Sequence, residues 1–129
     1  KNILSKKASQ TVKWFSEYIP DNKINLYFSA TDYVVLPYRT ASQSAIIPMA
    51  YHFNKPVIIS NLKGLVDLVY HNHSGYIFKN KNVNELTEIL SVCIKKYDKI
   101  EFIKENIIKF KHQLSTKIFV DDLISFLNE

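Results

Sequence analysis

The segment Pro37-Tyr-Arg-Thr-Ala-Ser-Gln-Ser44 concentrates groups that bind anions and hydroxyls: one guanidinium, one side-chain amide, three aliphatic hydroxyls and one phenol. It follows the continuous apolar run Asp32-Tyr-Val-Val-Leu-Pro37 and opens a helical pattern, so it reads as a strand-to-helix turn. A helix start presents backbone N–H groups and the positive end of the helix dipole, and can therefore hold a phosphate. Arg39 can add a two-pronged contact to the same anion. Thr40, Ser42, Gln43 and Ser44 add hydroxyl and amide groups. The plainer reading is a polar loop whose serine caps the helix. A second such turn, Ser60-Asn-Leu-Lys-Gly64, follows another apolar run, and Lys63, Gly64 and Asp67 are secondary candidates there. Asp67 falls in the first turn of the helix expected after it, where the dipole alone favours an acid.

Other chemistries are poorly served. The 129 residues contain only Gly64 and Gly75, so neither the dinucleotide-binding glycine fingerprint nor the Walker A loop can be written. Cys93, the single cysteine, sits in an apolar helical pattern and reads as a buried thiol, which excludes an internal disulfide. His52, His71, His73 and His112 show no spacing that matches a metal site with Cys93 or the acids, so no metal is expected. No Gly-x-Ser-x-Gly elbow occurs, and no two carboxylates share a strand-end loop. Trp14, Tyr18 and Tyr38 can stack a base or belong to the core. No run of ~18 apolar residues is present, so no membrane-spanning helix is expected.

Formal net charge is +5, and it is uneven. Residues 1–66 carry seven lysines and Arg39 against three acids, whereas residues 67–129 carry nine lysines against nine acids. A basic half suits an anionic ligand, a nucleic acid or an anionic membrane surface. A general lysine richness of the chain explains it equally. With one arginine and no basic-aromatic interleaving the chain makes a poor nucleic-acid reader, and none is expected.

These residues need elements to position them. Thr11–Tyr18 alternates at Val12, Trp14 or Phe15, and Tyr18, and is expected as a strand. Pro20-Asp21-Asn22 reads as a turn, and Lys23–Ser29 as a short helix. Asp32–Pro37 has the composition of a strand buried on both faces. A helix capped by Ser42 or Ser44 runs to about Phe53, with Pro48 requiring a later start or a kink. Lys55–Ser60 is a buried strand, Gly64–Tyr70 a short helix and Gly75–Phe78 a last strand. Asn82 and Glu85 resemble a capping box ahead of a helix carrying Val83, Leu86, Leu90, Cys93 and Tyr97. Two more helices carry Phe102, Ile103, Ile107 and Phe110, and then, after Ser115, Phe119, Leu123 and Phe126. Strands alternating with helices imply a parallel α/β sheet, whose ligands bind at the strands' carboxyl ends. Those ends are Tyr18–Pro20, Pro37–Ser44 and Ser60–Gly64.

The stretch Tyr27-Phe-Ser-Ala-Thr-Asp-Tyr-Val-Val-Leu-Pro37 resembles a signature of the family 4 glycosyltransferases of GT-B fold. The resemblance continues through Tyr38-Arg-Thr-Ala-Ser-Gln-Ser44, Met49-Ala-Tyr-His-Phe-Asn-Lys-Pro-Val-Ile-Ile-Ser60, Gly64-Leu-Val-Asp67 and His71-Asn-His-Ser-Gly75, in the family's order, over roughly residues 12–97. Gly64 and Gly75 fall on turns that the pattern asks for. The resemblance implies a Rossmann-like parallel sheet forming the latter part of the donor-binding domain of a retaining glycosyltransferase. Residues 1–97 form its β/α core and residues 98–129 its C-terminal helices.

What the resemblance implies for the site is specific. The loop Tyr38–Ser44 holds the sugar and phosphate of a nucleoside-diphosphate sugar, and Glu17 and Tyr18 lie near the base. No metal or other cofactor is implied. The parent enzyme is expected to be cytoplasmic, with peripheral membrane contact, and to include an acceptor domain and an upstream strand, Gly-Arg turn and Lys that precede Lys1. The exposed sheet edge left by this cut is expected to make the chain dimerise or lose solubility. There are departures. The family's two glutamates are missing: no glutamate lies between Glu17 and Glu85, and Ile47 takes the place of the ribose-binding one. Asp67 stands where the family often has Glu, and Lys63 where it often has Gly. These departures sustain an alternative, a non-catalytic interaction domain or remnant of the same fold.

Overall fold

The computed structural model describes residues 12–96 and 98–113. Helix α1 (Asp21–Ser29) leads to β1 (Val34–Leu36), α2 (Ile46–His52), β2 (Val57–Ser60), α3 (Lys63–Val66), β3 (Gly75–Phe78), α4 (Val83–Lys95) and α5 (Asp98–Gln113). The three strands form one parallel sheet in the order β1-β2-β3. Val34 pairs with Val57, and Val57 with Gly75, so the three strands start in register and end on a common edge.

The central strand explains the core. Val57, Ile58, Ile59 and Ser60 are all buried, which requires cover on both faces of β2. Burying each such aliphatic side chain is worth about 1.5–3 kcal/mol. α3 packs against β2 and α4 against β3, while α5 packs on α2 and brings Ile103 and Ile107 to the same cluster as Ile47 and Ala50. α2 ends in a Schellman motif. Asn54 adopts φ 55°, its N–H bonds to Tyr51 O at 2.9 Å, and Lys55 N–H reaches Ala50 O at 2.8 Å. The Lys111 ammonium donates to His52 O (2.9 Å) and Asn54 Oδ1 (2.8 Å), placing a cation at the negative end of α2.

Several expectations are corrected. The strand expected at Thr11–Tyr18 does not form over Val12–Tyr18, and Thr11 lies outside the described residues. Alternation supplies a face but no ladder partner, and none of the three strands pairs with this segment. Trp14 and Tyr18 are each 82% exposed, and Phe15 meets Tyr27 edge-to-face at 5.9 Å. Pro20-Asp21-Asn22 is the start of α1: Pro20 is its N-cap and Pro20 O accepts from Lys23 N–H at 2.8 Å. Among the described residues β1 lies at the edge of the sheet, and Val35 is 37% exposed, so the strand is not buried on both faces. The helix expected at Gly64–Tyr70 ends at Val66. Leu68 and Val69 then bond three residues back, which tightens the chain into turns before β3.

α2 starts after Ser44, which resolves the difficulty at Pro48, now its third residue, where no N–H is needed. Val83 and Phe102 are exposed, although their spacing fits the apolar faces. Tyr97 and the helix expected after Ser115 lie outside the described residues. Neither glycine has positive φ. Their need is close approach: a Cβ on Gly64 would overlap the Ser42 carbonyl, and one on Gly75 the Val57 carbonyl. Among the described residues no helix is long and apolar enough to cross a membrane.

Candidate functional site

Three strand-to-helix loops rise from the common carboxyl edge, and side chains stitch them together. Ser60 Oγ donates to Tyr38 O at 2.7 Å. Asn80 Nδ2 donates to Arg39 O at 2.9 Å, and Asn80 N–H donates to Asn61 Oδ1 at 2.7 Å. Asn61 N–H bonds to Phe78 O at 2.8 Å. The Ser42 carbonyl lies against Gly64, where no other residue leaves it room. The loop Tyr38–Ala45 is therefore fixed at both ends although it has no regular structure. Ser60, Asn61 and Asn80 do this positioning and were missed in the sequence. Their one local signal is an amide or hydroxyl directly at a strand end.

The fixed loop separates two clefts. One, of ≈ 450 Å³, lies between Ser42–Ala45 and the Gly64–Leu68 segment and contains Gln43, Ser44 and Asp67. Among the described residues its lining has an amide, two serine hydroxyls and one carboxylate, and no cation. That set both donates to and accepts from hydroxyl groups. The other cleft, of ≈ 430 Å³, lies between Tyr38–Arg39 and the start of α4. Among the described residues it presents Arg39 and Lys81, no carboxylate, and apolar side chains including Val83 and Leu86.

The expected shared anion site is thereby divided. Ser42, Gln43, Ser44, Gly64 and Asp67 come together, whereas Arg39 faces the second cleft. Thr40 and Lys63 are exposed and line neither. Glu17 and Tyr18 also line neither, and the Tyr18 hydroxyl donates to Asp21 Oδ1 at 3.2 Å. The start of α2 is a poor phosphate cradle. Ile46 N–H already bonds to Ser44 Oγ at 3.3 Å, and Pro48 has no N–H. Asp67 is the C-cap of α3 and not part of a first turn, so the dipole does not account for an acid there.

Several other polar and titratable groups have partners within the fold. His71 Nδ1 accepts from Ile77 N–H at 3.0 Å, and His73 packs near the Phe102 ring. Among the described residues no group of three metal-ligating side chains occurs. Burial pushes the Cys93 thiol up, so it stays protonated and unreactive at neutral pH. Burial also raises the Tyr33 and Tyr76 hydroxyls beside it. Tyr51, buried and bonded to Leu68 O (3.1 Å) and Ser74 Oγ (2.8 Å), is pushed up to about 12, mainly by desolvation and against the effect of the Ser74 bond. The capping box is half formed. Glu85 N–H donates to Asn82 Oδ1, while the Glu85 carboxylate takes Lys79 N–H at 2.8 Å.

A parallel sheet covered by helices, with polar clefts along its carboxyl edge, defines a Rossmann-like ligand-binding fold. The family described as "Glycosyl transferases group 1" matches residues 2–96, and the chain belongs to it. No relative of curated function matches the sequence. Among solved structures, Alr3699/HepE from Anabaena shares the fold. Its complex with UDP superposes with a TM-score of 0.67 at 22% identity, covering 78% of this chain and 28% of that one. Its UDP-glucose complex gives 0.67 at 23%, covering 81% and 29%. Its complex with UDP and glucose gives 0.67 at 23%, covering 81% and 28%. The chain thus spans less than a third of the length of these proteins.

Proposed function

We propose that this chain is the nucleotide-sugar-binding part of a retaining glycosyltransferase, with the sugar seated in the cleft between Gln43 and Asp67. The observation that carries the reading is the content of that cleft: an amide, two hydroxyls and a carboxylate held at the carboxyl edge of a parallel sheet, in a chain of this family. Sugar hydroxyls are donors and acceptors at once, and such a mixed set meets both needs. The solved relative was crystallised with UDP, UDP-glucose and glucose, which makes a uridine nucleotide the first donor to try. In the transfer, the bond from the anomeric carbon to the diphosphate oxygen breaks and a bond to an acceptor oxygen forms. The role of Ser42, Gln43, Ser44 and Asp67 is to hold the sugar in one orientation while this happens. The parent enzyme acts in the cytoplasm in this reading.

Calorimetric titration of UDP-glucose and UDP into the chain tests it. UDP-glucose is expected to bind more tightly than UDP, and Gln43→Ala with Asp67→Asn should erase that difference. Equal affinities in the unmodified chain would overturn the sugar assignment. The second reading, an interaction domain that has lost its donor, is favoured by one observation. Ile47, at the place of the ribose-binding glutamate, is 1% exposed, belongs to the core and has no polar group to offer a ribose. Absence of binding by every nucleotide sugar would select this reading.

A further inference from the structure

We propose that the second cleft, between Arg39 and Lys81, binds a phosphate ester that carries an apolar tail. Three observations converge on it. First, both cations are exposed and neither Arg39 nor Lys81 has a carboxylate among the residues lining the cleft. The nearby Glu85 carboxylate is already engaged by Lys79 N–H and Asn82 Nδ2. Arg39 offers a planar fork and Lys81 a point charge, a pairing suited to a phosphate.

Second, much of the remaining lining is apolar, with Pro37, Tyr38, Val83 and Leu86. Val83 opens α4 at 71% exposure, apolar surface that the described residues leave uncovered. Third, Asn80 Nδ2 donates to Arg39 O at 2.9 Å and so ties the two walls of the cleft together.

The content of this cleft is the reverse of the sugar cleft: cations and hydrocarbon instead of a carboxylate and hydroxyls. In a glycosyl transfer it is therefore the seat of a phosphorylated acceptor with an apolar tail and not of the donor sugar. That last clause rests on the function proposed above; the ligand chemistry of the cleft does not.

Calorimetric titration of the 129-residue chain with butyl phosphate, inorganic phosphate, butanol and UDP-glucose tests the proposal. Butyl phosphate should bind about tenfold more tightly than inorganic phosphate, and butanol should give no binding. The double variant Arg39→Gln, Lys81→Gln should weaken butyl phosphate about three- to tenfold, with amide-spectrum dispersion unchanged, since both side chains are exposed. Equal binding of butyl and inorganic phosphate, or an affinity indifferent to the double variant, overturns the proposal. If UDP-glucose does not bind while butyl phosphate still does, the donor reading falls and the cleft assignment stands.

Discussion

Two clefts share one loop, yet they are chemically opposite. On one side Gln43, Ser44 and Asp67 form a polar cleft with a carboxylate and no cation; on the other, Arg39 and Lys81 face hydrocarbon with no carboxylate. Only two residues, Thr40 and Ala41, separate Arg39 from Ser42 along the chain. The difference comes from what each end of the loop packs against. The Ser42 end rests on α3 through Gly64, and the Arg39 end is bound to the β3–α4 turn through Asn80. A single irregular segment thus borders two chemically opposite clefts because two different strand-end loops hold it.

The comparison breaks most completely at Gly64. Gly64→Val drives a side chain into the Ser42 carbonyl, where backbone must move, and should cost about 2–3 kcal/mol in urea unfolding. It should also abolish ligand binding in the Gln43 cleft while leaving butyl phosphate bound at Arg39. Loss of both would show that the loop moves as one body. The reciprocal change, Asn80→Ala, removes the bond to Arg39 O and should cost about 1–2 kcal/mol. Its effect on ligands should fall on the Arg39 cleft.

Smaller effects separate both clefts from the core. Tyr51 lies under α2 with its hydroxyl held by Ser74 and Leu68, and its folded value of about 12 is above the ordinary tyrosine value. A raised value means that its contribution to stability is complete below about pH 10 and is lost as pH climbs toward 12. Tyr33 and Tyr76 shift in the same direction through burial. Chemical unfolding measured from pH 8 upward should show stability falling beyond pH 10, with a shallower fall in Tyr51→Phe. Trp14→Ser should do least. With the side chain 82% exposed, unfolding should shift by no more than about 0.5 kcal/mol, and neither cleft should respond.

The parts of the fold written in local pattern could be read. β2 and β3 are short apolar runs between turn residues, and α4 announces itself through Asn82 and Glu85. The Val12–Tyr18 segment misled because alternation describes a face, while a strand exists only if another strand takes its hydrogen bonds. Asp67 was placed in a first turn because nothing local marks α3 as ending at Val66. At the site, the loop Tyr38–Ser44 stood out by composition, and five of the candidates do meet in one cleft. The separation of Arg39 from them was not legible. It depends on bonds between residues 41 apart, Arg39 with Asn80, and 22 apart, Tyr38 with Ser60, and no spacing rule encodes these.

The most direct test of the two-cleft account is an amide chemical-shift map of the chain titrated with UDP-glucose. The expected result is movement at Ser42, Gln43, Ser44, Gly64 and Asp67, with Arg39, Lys81 and Val83 unmoved. Movement concentrated at Arg39 and Lys81, or spread equally over both sets, would contradict it.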